Sequence, residues 1–405
     1  MLDDFGQRIR DIILSEMDLS RELSDEEICD LIGSVVSREA RDRPMTIKDR
    51  AELERTIFNS LRKLDVLQEL VDDRDVTEIM VNGPNDIFYE KAGRIQRFKG
   101  HFSSEEKLED VIQQIVGRHN RVVNQASPIV DTRLSDGSRV NIVLNPISIG
   151  GSAVSIRKFP EHPMSMERLV EIEALSPEVA RFLQILTQAK YNIFISGGTG
   201  SGKTTFLNAL SQYIPDDERI ITIEDSAELQ LLGAKNIVRL ETRNANTDGV
   251  TPITIRDLIR TALRMRPDRI IVGECRGAEA LDMLQAMNTG HDGSLSTGHA
   301  NSPHDIISRI ETMVLQGQDF PLNAIRQQIA SGIDIIVQLG RLRDKSRRVL
   351  EISEVDGFMD GEIVLHTLYR FEETAVLDSG RIQGFLKKAG TLCHTDKLMA
   401  AGHSV

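Results

Sequence analysis

The sequence predicts an α/β protein whose core is a parallel sheet with helices on both faces. Two observations lead to this prediction. An apolar, β-prone run ends in the glycine-rich loop Gly197–Thr204, and a helical stretch follows it directly. From about residue 165 onward, strand-like runs alternate with helical patterns, which is typical of parallel sheets. A strand pair joined by a charged turn is expected within residues 341–354. Parallel strands are expected at 191–196, 219–223, 236–240, 269–273 and 333–338.

A helical segment is expected over residues 1–75. Ser24 and Glu27 have the spacing of a capping box, and an apolar helical face follows them. A longer helix is expected to extend from Leu53 to Val71, because apolar residues recur there three, four or seven positions apart. We interpret this segment as a small helical bundle.

A small α+β domain is expected over residues 76–160. Short apolar runs separated by turn residues predict strands, and a helix between them is expected to have Ser103 as its cap. The stretch Pro160–Pro163 is predicted to be a linker. The sheet domain is then expected over 161–366, with a looser C-terminal tail over 367–405.

The composition excludes several classes of protein. A length of 405 residues suits two or three domains. A net charge of −13 and the absence of Trp argue against a protein that coats nucleic acid. Three widely spaced cysteines match neither a disulfide framework nor a zinc pattern. Apolar runs fall short of the roughly 18 residues that a membrane span needs, and the N-terminus does not resemble a signal peptide. A cytoplasmic location is therefore expected.

The stretch Gly197–Thr204 matches the complete phosphate-binding pattern G-x-x-x-x-G-K-[ST], the Walker A motif or P-loop. Its glycines let backbone N–H groups turn toward phosphates, and the following helix N-terminus adds partial positive charge. Lys203 is expected to reach the β- and γ-phosphates, and the Thr204 hydroxyl is expected to bind Mg²⁺. The residues expected to bind ATP are Gly197, Gly198, Thr199, Gly200, Ser201, Gly202, Lys203, Thr204 and Thr205.

Two of the later predicted strands end in carboxylates. Glu274 follows the apolar run 269–273, and we interpret it as the Walker B acid that orients Mg²⁺ through water. Glu224, Asp225 and Glu228 follow another strand, where a carboxylate can polarise the water in line with the γ-phosphate. One of these three acids is expected to cap the next helix instead.

The polar, glycine-rich stretch Thr289–Asn301 contains two of the nine histidines. A metal site is one interpretation, but the spacing of His291 and His299 matches no helical ligand pair and no cysteine lies near them in sequence. A loop that senses the γ-phosphate is favoured. In that interpretation His299 is hydrogen-bonded toward the phosphate or toward Glu274.

Taken together and in this order, these motifs resemble those of the ATPases of type II and type IV secretion systems. The similarity is greatest to the CpaF/TadA branch, the motors of Tad (type IVc) pili. The resemblance extends from about residue 55 to 355, and Ala286–Ser294 is its most specific part. The matching stretches are Gly197–Thr205, Ile221–Leu229, Arg239–Arg243, Leu263–Arg276 and Gly277–His299.

The resemblance implies a RecA-like P-loop ATPase core, preceded by a small α+β (PAS-like) domain and the N-terminal helical segment. It also implies a cytoplasmic homo-hexamer, peripheral at the inner membrane, that binds the platform proteins of a pilus or secretion machine. No direct nucleic-acid partner and no transmembrane segment are expected.

The resemblance further implies roles for individual residues. Lys203 and Glu274 would act in catalysis, with Glu228 as the catalytic base and His299 as the histidine of the His box. The N-terminal domain would supply three arginines. Of these, Arg139 would act in catalysis, and Arg133 and Arg157 would bind the nucleotide.

The sequence leaves two alternatives to an ATP-driven mechanical enzyme. A RecA-like nucleic-acid motor ATPase would need a basic groove and aromatic stacking platforms, and this acidic, Trp-free sequence offers neither. A nucleotide-gated assembly factor without hydrolysis is disfavoured, because Lys203, Glu274 and a candidate base are all present. The mechanical enzyme is preferred.

Overall fold

The structure is a computed structural model that describes residues 4–17, 21, 23–42, 45–91, 93–118, 122–159, 163–231, 233–243 and 251–403. The chain divides into two units, residues 1–161 and 162–405. Of the expected linker at Pro160–Pro163, residues 160–162 lie outside the described residues. The division into four parts with boundaries near 75, 160 and 366 stays a prediction. Across the ranges given above, no helix combines the length and the hydropathy that crossing a membrane requires.

The first unit begins with helices that share a small core of their own. They are α1 (Asp4–Glu16), α2 (Asp25–Glu39) and α3 (Ile47–Arg62), and they bury aliphatic side chains such as Ile13, Ile32 and Ile57 against one another. The capping box of Ser24 and Glu27 is confirmed. The prediction of one helix from Leu53 to Val71 is wrong, because α3 ends at Arg62. Asp65 then adopts a positive φ of 51°, and a short helix α4 (Gln68–Asp72) follows.

The rest of the first unit is an antiparallel sheet with one helix on its buried face. Leu108 and Ile112 of that helix pack against strand residues such as Ile79 and Ile156. The helix is capped by the Ser104 hydroxyl, which accepts a hydrogen bond from the Lys107 N–H, so the prediction of Ser103 is wrong by one residue. The elements are β1 (Val76–Asn82), β2 (Ile87–Lys91), β3 (Arg94–Arg97), α5 (Glu105–Gly117), β4 (Ile129–Arg133), β5 (Arg139–Val143) and β6 (Ala153–Arg157), with strand order β3-β2-β1-β6-β5-β4.

The second unit contains the predicted alternation of strands and helices. Its elements are α6 (Met166–Glu171), α7 (Pro177–Gln188), β7 (Ile193–Gly197), α8 (Lys203–Ser211), β8 (Arg219–Glu224), β9 (Asn236–Glu241), α9 (Ile255–Ala262), β10 (Arg269–Val272), α10 (Glu279–Asn288), β11 (Leu295–Gly298), α11 (Pro303–Gly317), α12 (Leu322–Gly332), β12 (Ile335–Arg341), β13 (Arg347–Met359), β14 (Glu362–Val376), β15 (Ile382–Lys388) and α13 (Asp396–Ala400).

The strand order in this sheet is β15-β14-β13-β12-β7-β11-β10-β8-β9. Neighbouring strands from β12 to β9 run parallel, and those from β12 to β15 pair antiparallel. Alternate residues of β7 belong to different cores, since Ile195 packs with Leu207 of α8 and Phe194 packs with Ile310 of α11. The predicted α/β fold with helices on both faces is therefore confirmed.

The expectation of a loose tail from about Thr367 is wrong. Strands β14 and β15 continue the sheet beyond β13. After them, the backbone N–H groups of Cys393 and His394 donate to the Glu354 carboxylate, at 2.7 and 2.8 Å. Lys397 of α13 then forms ion pairs with Asp334, at 2.7 Å, and with Asp292, at 2.8 Å. These contacts anchor the C-terminal segment to β13 and to the residues that precede β12 and β11.

Candidate active site

The P-loop connects the end of β7 to the start of α8. Gly200 and Gly202 have φ angles of 71° and 94°, a conformation that residues with a Cβ atom rarely adopt. Helix α8 begins at Lys203 directly after them, so its first N–H groups have no partners within the helix. The sequence thus forms a backbone cradle of the kind that binds phosphate.

Lys203 is buried, and its ammonium group makes three hydrogen bonds. It donates to the carbonyl oxygens of Gly197 and Gly198, at 3.1 and 3.2 Å, and its Nζ lies 3.2 Å from His299 Nδ1. Burial lowers the pKa of Lys203, and the negative charge of Glu274 partly opposes this effect. The ammonium group is therefore held directly beneath the P-loop.

His299 connects the P-loop lysine to the predicted Walker B acid. Because Lys203 donates to Nδ1, the neutral ring carries its proton on Nε2, which lies 2.7 Å from Glu274 Oε1. Burial lowers the pKa of His299, and the charge of Lys203 lowers it further. The neutral ring thus receives a hydrogen bond on one side and faces a carboxylate on the other.

Glu274 follows β10 and is half-buried. Burial alone would raise the pKa of its carboxyl group, but a 2.6 Å hydrogen bond from Arg276 and the neighbouring positive charges outweigh burial and lower it. Thr297 of β11 lies beside both neighbours of Glu274. Its hydroxyl donates to the Gly273 carbonyl, and its own carbonyl accepts from the Cys275 N–H, both at 2.8 Å. Strand β11 therefore positions Glu274 as well as His299.

Glu224 and Glu228 occupy different environments at the end of β8. Glu224 is only 4% exposed, and its carboxylate accepts the backbone N–H groups of Glu228, at 2.9 Å, and Leu229, at 3.0 Å. Burial raises the pKa of Glu224 to about 7. The side chain of Glu228 is half-buried. The prediction that one of these acids caps a helix is wrong, because the described residues after β8 form a loop. Glu224 instead accepts hydrogen bonds from N–H groups of that loop.

These residues fit a nucleoside triphosphate with Mg²⁺. The cradle of N–H groups and Lys203 suit phosphate oxygens, and Thr204 stands in the first turn of α8, where its hydroxyl can bind the ion. Glu274, hydrogen-bonded by Arg276 and close to His299, is an anionic group suited to the ion's water ligands. When bound, Mg²⁺ neutralises negative charge that develops on the phosphates.

The three arginines predicted to act from the first unit lie in one row of its sheet. Arg133 pairs with Arg139 across β4 and β5, and Arg139 pairs with Arg157 across β5 and β6. On the far side of Arg157, the row continues with Glu78 of β1. Residues paired in this way point to the same face of a sheet, so positive charge is concentrated in one place.

Two residues of the site were missed in the sequence. Arg276 holds Glu274 and also lies 3.8 Å from Asp225. Its position two residues after the Walker B acid was the available signal. The prediction of a loop at Thr297 is wrong, because Thr297 lies in β11. This strand contains Ser296, Thr297 and Gly298 and lacks the apolar run that would indicate a strand.

Comparison with known proteins identifies the family to which this P-loop protein belongs. The family model described as type II/IV secretion system protein matches residues 60–384. The chain belongs to this family. A putative conjugal transfer protein of Mycobacterium tuberculosis is 32% identical over 322 residues, which cover 77% of this chain and 91% of that relative. The type IV secretion system protein PtlH of Bordetella pertussis is 33% identical over 320 residues, which cover 73% of this chain and 94% of PtlH.

Among solved structures, that of the pilus retraction motor PilT with bound ADP matches with a TM-score of 0.55 and 22% identity, covering 82% of this chain and 84% of PilT. Similarity at this identity shows a shared fold, a RecA-like core that follows an N-terminal domain. The family match and the P-loop geometry make this secretion-family chain an ATP hydrolase. The resemblance to type II/IV secretion ATPases is confirmed at the level of the family, and the CpaF/TadA branch stays a prediction.

Proposed function

We propose that this secretion-family ATPase is the motor of a Tad (type IVc) pilus or of a related type II/IV secretion machine. The main support is the continuous set of contacts from Lys203 through His299 to Glu274. These contacts join an ammonium group, a neutral imidazole ring and a carboxylate, the combination of groups that ATP hydrolysis needs. The motif Ala286–Ser294 is the feature that favours the Tad branch.

In this proposal, residues of the second unit bind ATP and activate water. Lys203 and the P-loop N–H groups neutralise charge on the β- and γ-phosphates. Glu228 accepts a proton from the attacking water, and the buried Glu224 holds the backbone of Glu228 in place. His299 hydrogen-bonds toward the γ-phosphate. Because its ring also contacts Glu274, binding of the γ-phosphate changes the position of that carboxylate. Arg139, with Arg133 and Arg157, neutralises charge on the nucleotide from the first unit.

The proposed working form is a Mg²⁺-dependent homo-hexamer in the cytoplasm. It would be peripheral at the inner membrane through the platform proteins of the machine. ATP turnover per chain should then rise with protein concentration as rings assemble. Light scattering of the purified chain with Mg²⁺ and a slowly hydrolysed ATP analogue measures the number of chains per particle and so tests the hexamer directly. Particles of one or two chains under conditions of full turnover would exclude the hexamer.

The test of the motor function replaces Lys203. Lys203→Ala should abolish ATP turnover, because the charge that holds the β- and γ-phosphates is lost. The same variant should fail to restore appendages or secretion in a cell that lacks the gene. Lys235→Ala is a suitable control, since Lys235 is exposed and pairs with Asp216 at the surface. Wild-type turnover by Lys203→Ala would mean that the P-loop is not the active site.

A separate assay addresses the nucleic-acid alternative. Turnover by wild-type protein should be insensitive to added single- or double-stranded DNA. Turnover that DNA stimulates, with binding that weakens steeply as salt rises, would favour the nucleic-acid motor over the pilus or secretion motor.

A further inference from the structure

A cavity of about 220 Å³, lined mainly by polar and charged residues, lies within the first unit, between the helical segment and the α+β region. Arg10 of α1, Thr56 and Ser60 of α3, Asp65, and Lys107 of α5 contribute to its lining. The family match begins at residue 60, so α1 and nearly all of α3 lie outside it. The cavity is therefore built partly from a segment that the family match does not include.

Among the residues that the structure describes, two of the cavity lining each have a buried polar side-chain atom without a hydrogen-bond partner. Ser60 is 7% exposed, and its hydroxyl oxygen is buried without a partner. Arg10 Nε is likewise buried without a partner. Within the part of the chain that the structure describes, the Arg10 side chain forms no hydrogen bond or ion pair. Leaving buried polar groups unpaired costs about 1–3 kcal/mol each, so such groups are uncommon unless something binds them.

Of the Asp, Glu, Lys and Arg residues that line the cavity, the three that are not exposed are two cations, Arg10 and Lys107, and one acid, Asp65. Lys107 Nζ donates to the Ser60 carbonyl oxygen at 2.9 Å, and burial lowers the pKa of Lys107. Asp65 is the acid beside these two cations, and burial raises its pKa although Lys107 and Arg10 oppose that effect. The further acids Glu52, Glu69 and Asp72 and the cation Arg55 line the cavity at exposed positions, where water and salt screen their charges.

We propose that this cavity binds a small molecule through an oxyanion, either a carboxylate or a phosphate, that Arg10, Lys107 and the Ser60 hydroxyl hold. A guanidinium and an ammonium group both form charge-assisted hydrogen bonds with such oxygens, and the hydroxyl can donate a further one. The cavity has room for roughly seven water molecules at about 30 Å³ each, which suits a ligand smaller than a nucleotide. A ligand there would bind α1, α3 and α5 together and stabilise the first unit.

Isothermal titration calorimetry on the full chain tests the site. Malonate serves as the carboxylate probe and inorganic phosphate as the phosphate probe, each titrated with the P-loop saturated by Mg²⁺ and ADP. At least one probe should bind with one site per chain. Arg10→Gln should weaken that binding by about tenfold or more, as the loss of a hydrogen bond to a charged group predicts. Arg8→Gln, two residues away on α1 and paired with Glu39 at the surface, should leave it unchanged.

A second measurement uses the wild-type protein, so that it does not depend on how a variant folds. Acetylation of Lys107 is followed by mass spectrometry with and without the probe that binds. The probe should slow modification of Lys107 severalfold, while modification of the exposed Lys48 on α3 should not change. The proposal is overturned if neither probe binds at tens of millimolar. It is also overturned if a bound probe leaves Lys107 unprotected. Both results are independent of ATP turnover.

Discussion

Glu224 and Glu228 lie four residues apart, yet their surroundings suit different tasks. Glu224 is enclosed, and its carboxylate is occupied by two backbone N–H groups. Gly273 of the neighbouring segment packs so closely that a Cβ atom there would lie 2.9 Å from Glu224 Cγ. Glu228 stands on the loop that Glu224 fixes, with its side chain half-buried. The geometry therefore favours Glu228 as the residue that meets water and Glu224 as the residue that positions it.

Substituting the two acids separates these roles. Glu228→Gln should bind ATP normally yet turn it over at least ~100-fold more slowly, because the proton acceptor is lost. Glu224→Gln should be milder in turnover, since a Gln oxygen can still accept the two N–H groups. Single-turnover hydrolysis and nucleotide binding are the measurements. If Glu224→Gln showed the larger loss of turnover, the base assignment would move to Glu224.

The pKa of Glu224 predicts how stability depends on pH. Burial raises this pKa from 4.5 to about 7, so between these values the folded chain keeps a proton that the unfolded chain releases. The contribution of Glu224 to stability is therefore present below pH 4.5 and is lost as pH rises through 7. Glu224→Gln cannot titrate, so wild type should lose on the order of 2 kcal/mol relative to the variant between pH 5 and 8.

Urea unfolding at several pH values measures this difference. Glu171→Gln is a suitable control, because Glu171 is exposed and pairs with Arg168 at the surface. A constant difference between wild type and Glu224→Gln across the range would show that the pKa of Glu224 is not raised.

The sequence is most informative where chemistry restricts the choice of side chain. Lys203, Glu274 and His299 were each predicted from motifs, and the structure brings all three together. Their proposed roles remain predictions. Arg276 was missed because an arginine next to an acid is usually a solvated ion pair, and only the fold shows which acid it contacts.

Among the elements, β11 shows where pattern reasoning fails. This strand lies between β7 and β10, so both its edges are paired, and its residues Leu295–Gly298 are fully buried. The Thr297 hydroxyl is tolerated there because it donates to the Gly273 carbonyl. At Gly298 a Cβ atom would lie 2.9 Å from both Ile306 and Phe194, so the strand has no room for a side chain. Sequence patterns identify buried strands by apolar runs, and a strand that serves an active site need not have one.

The C-terminal strands were missed for a different reason. Strand β14 lacks alternation of buried and exposed positions, since its first half is mostly half-buried and its second half is mostly exposed. Its pairing with both neighbours contains irregularities in register. Such a pattern is weak when it is read without the partner strands. The contacts of α13 depend on Asp292 and Asp334, which are distant in sequence, so pairing with Lys397 was not predictable.

The ion pairs of Lys397 in α13 lead to a prediction about the stability of the second unit. Burial raises the pKa of Asp334 while the charge of Lys397 opposes that effect, so Lys397→Ala leaves a largely buried acid without its cation. The second unit should lose about 1–3 kcal/mol of stability. Lys387→Ala, which breaks an exposed pair with Glu372, should lose about 0–1 kcal/mol. Urea unfolding compares the two, and equal losses would show that α13 does not stabilise the sheet.

The first unit carries the row of arginines that we propose to act on ATP bound by the second unit. The row of Arg157, Arg139 and Arg133 concentrates positive charge on one face of the first unit. Like charges placed side by side in a sheet repel, and a polyanion such as a triphosphate would be attracted to them. We expect the row to contact bound ATP, and we expect this contact to be lost after phosphate leaves.

Arg139→Ala should therefore reduce turnover and assembly of the appendage more than it reduces nucleotide binding. The exposed Arg97, which pairs with Asp86 elsewhere on the same sheet, gives the control variant Arg97→Ala. Mixing Arg139→Ala chains with Lys203→Ala chains adds a further test, because each variant keeps the residue that the other lacks. Partial recovery of turnover in mixed rings requires Arg139 to act on a neighbouring chain's ATP, whereas action within one chain predicts no recovery. Unchanged hydrolysis by rings that lack both Arg133 and Arg139 would exclude a role for the row in turnover.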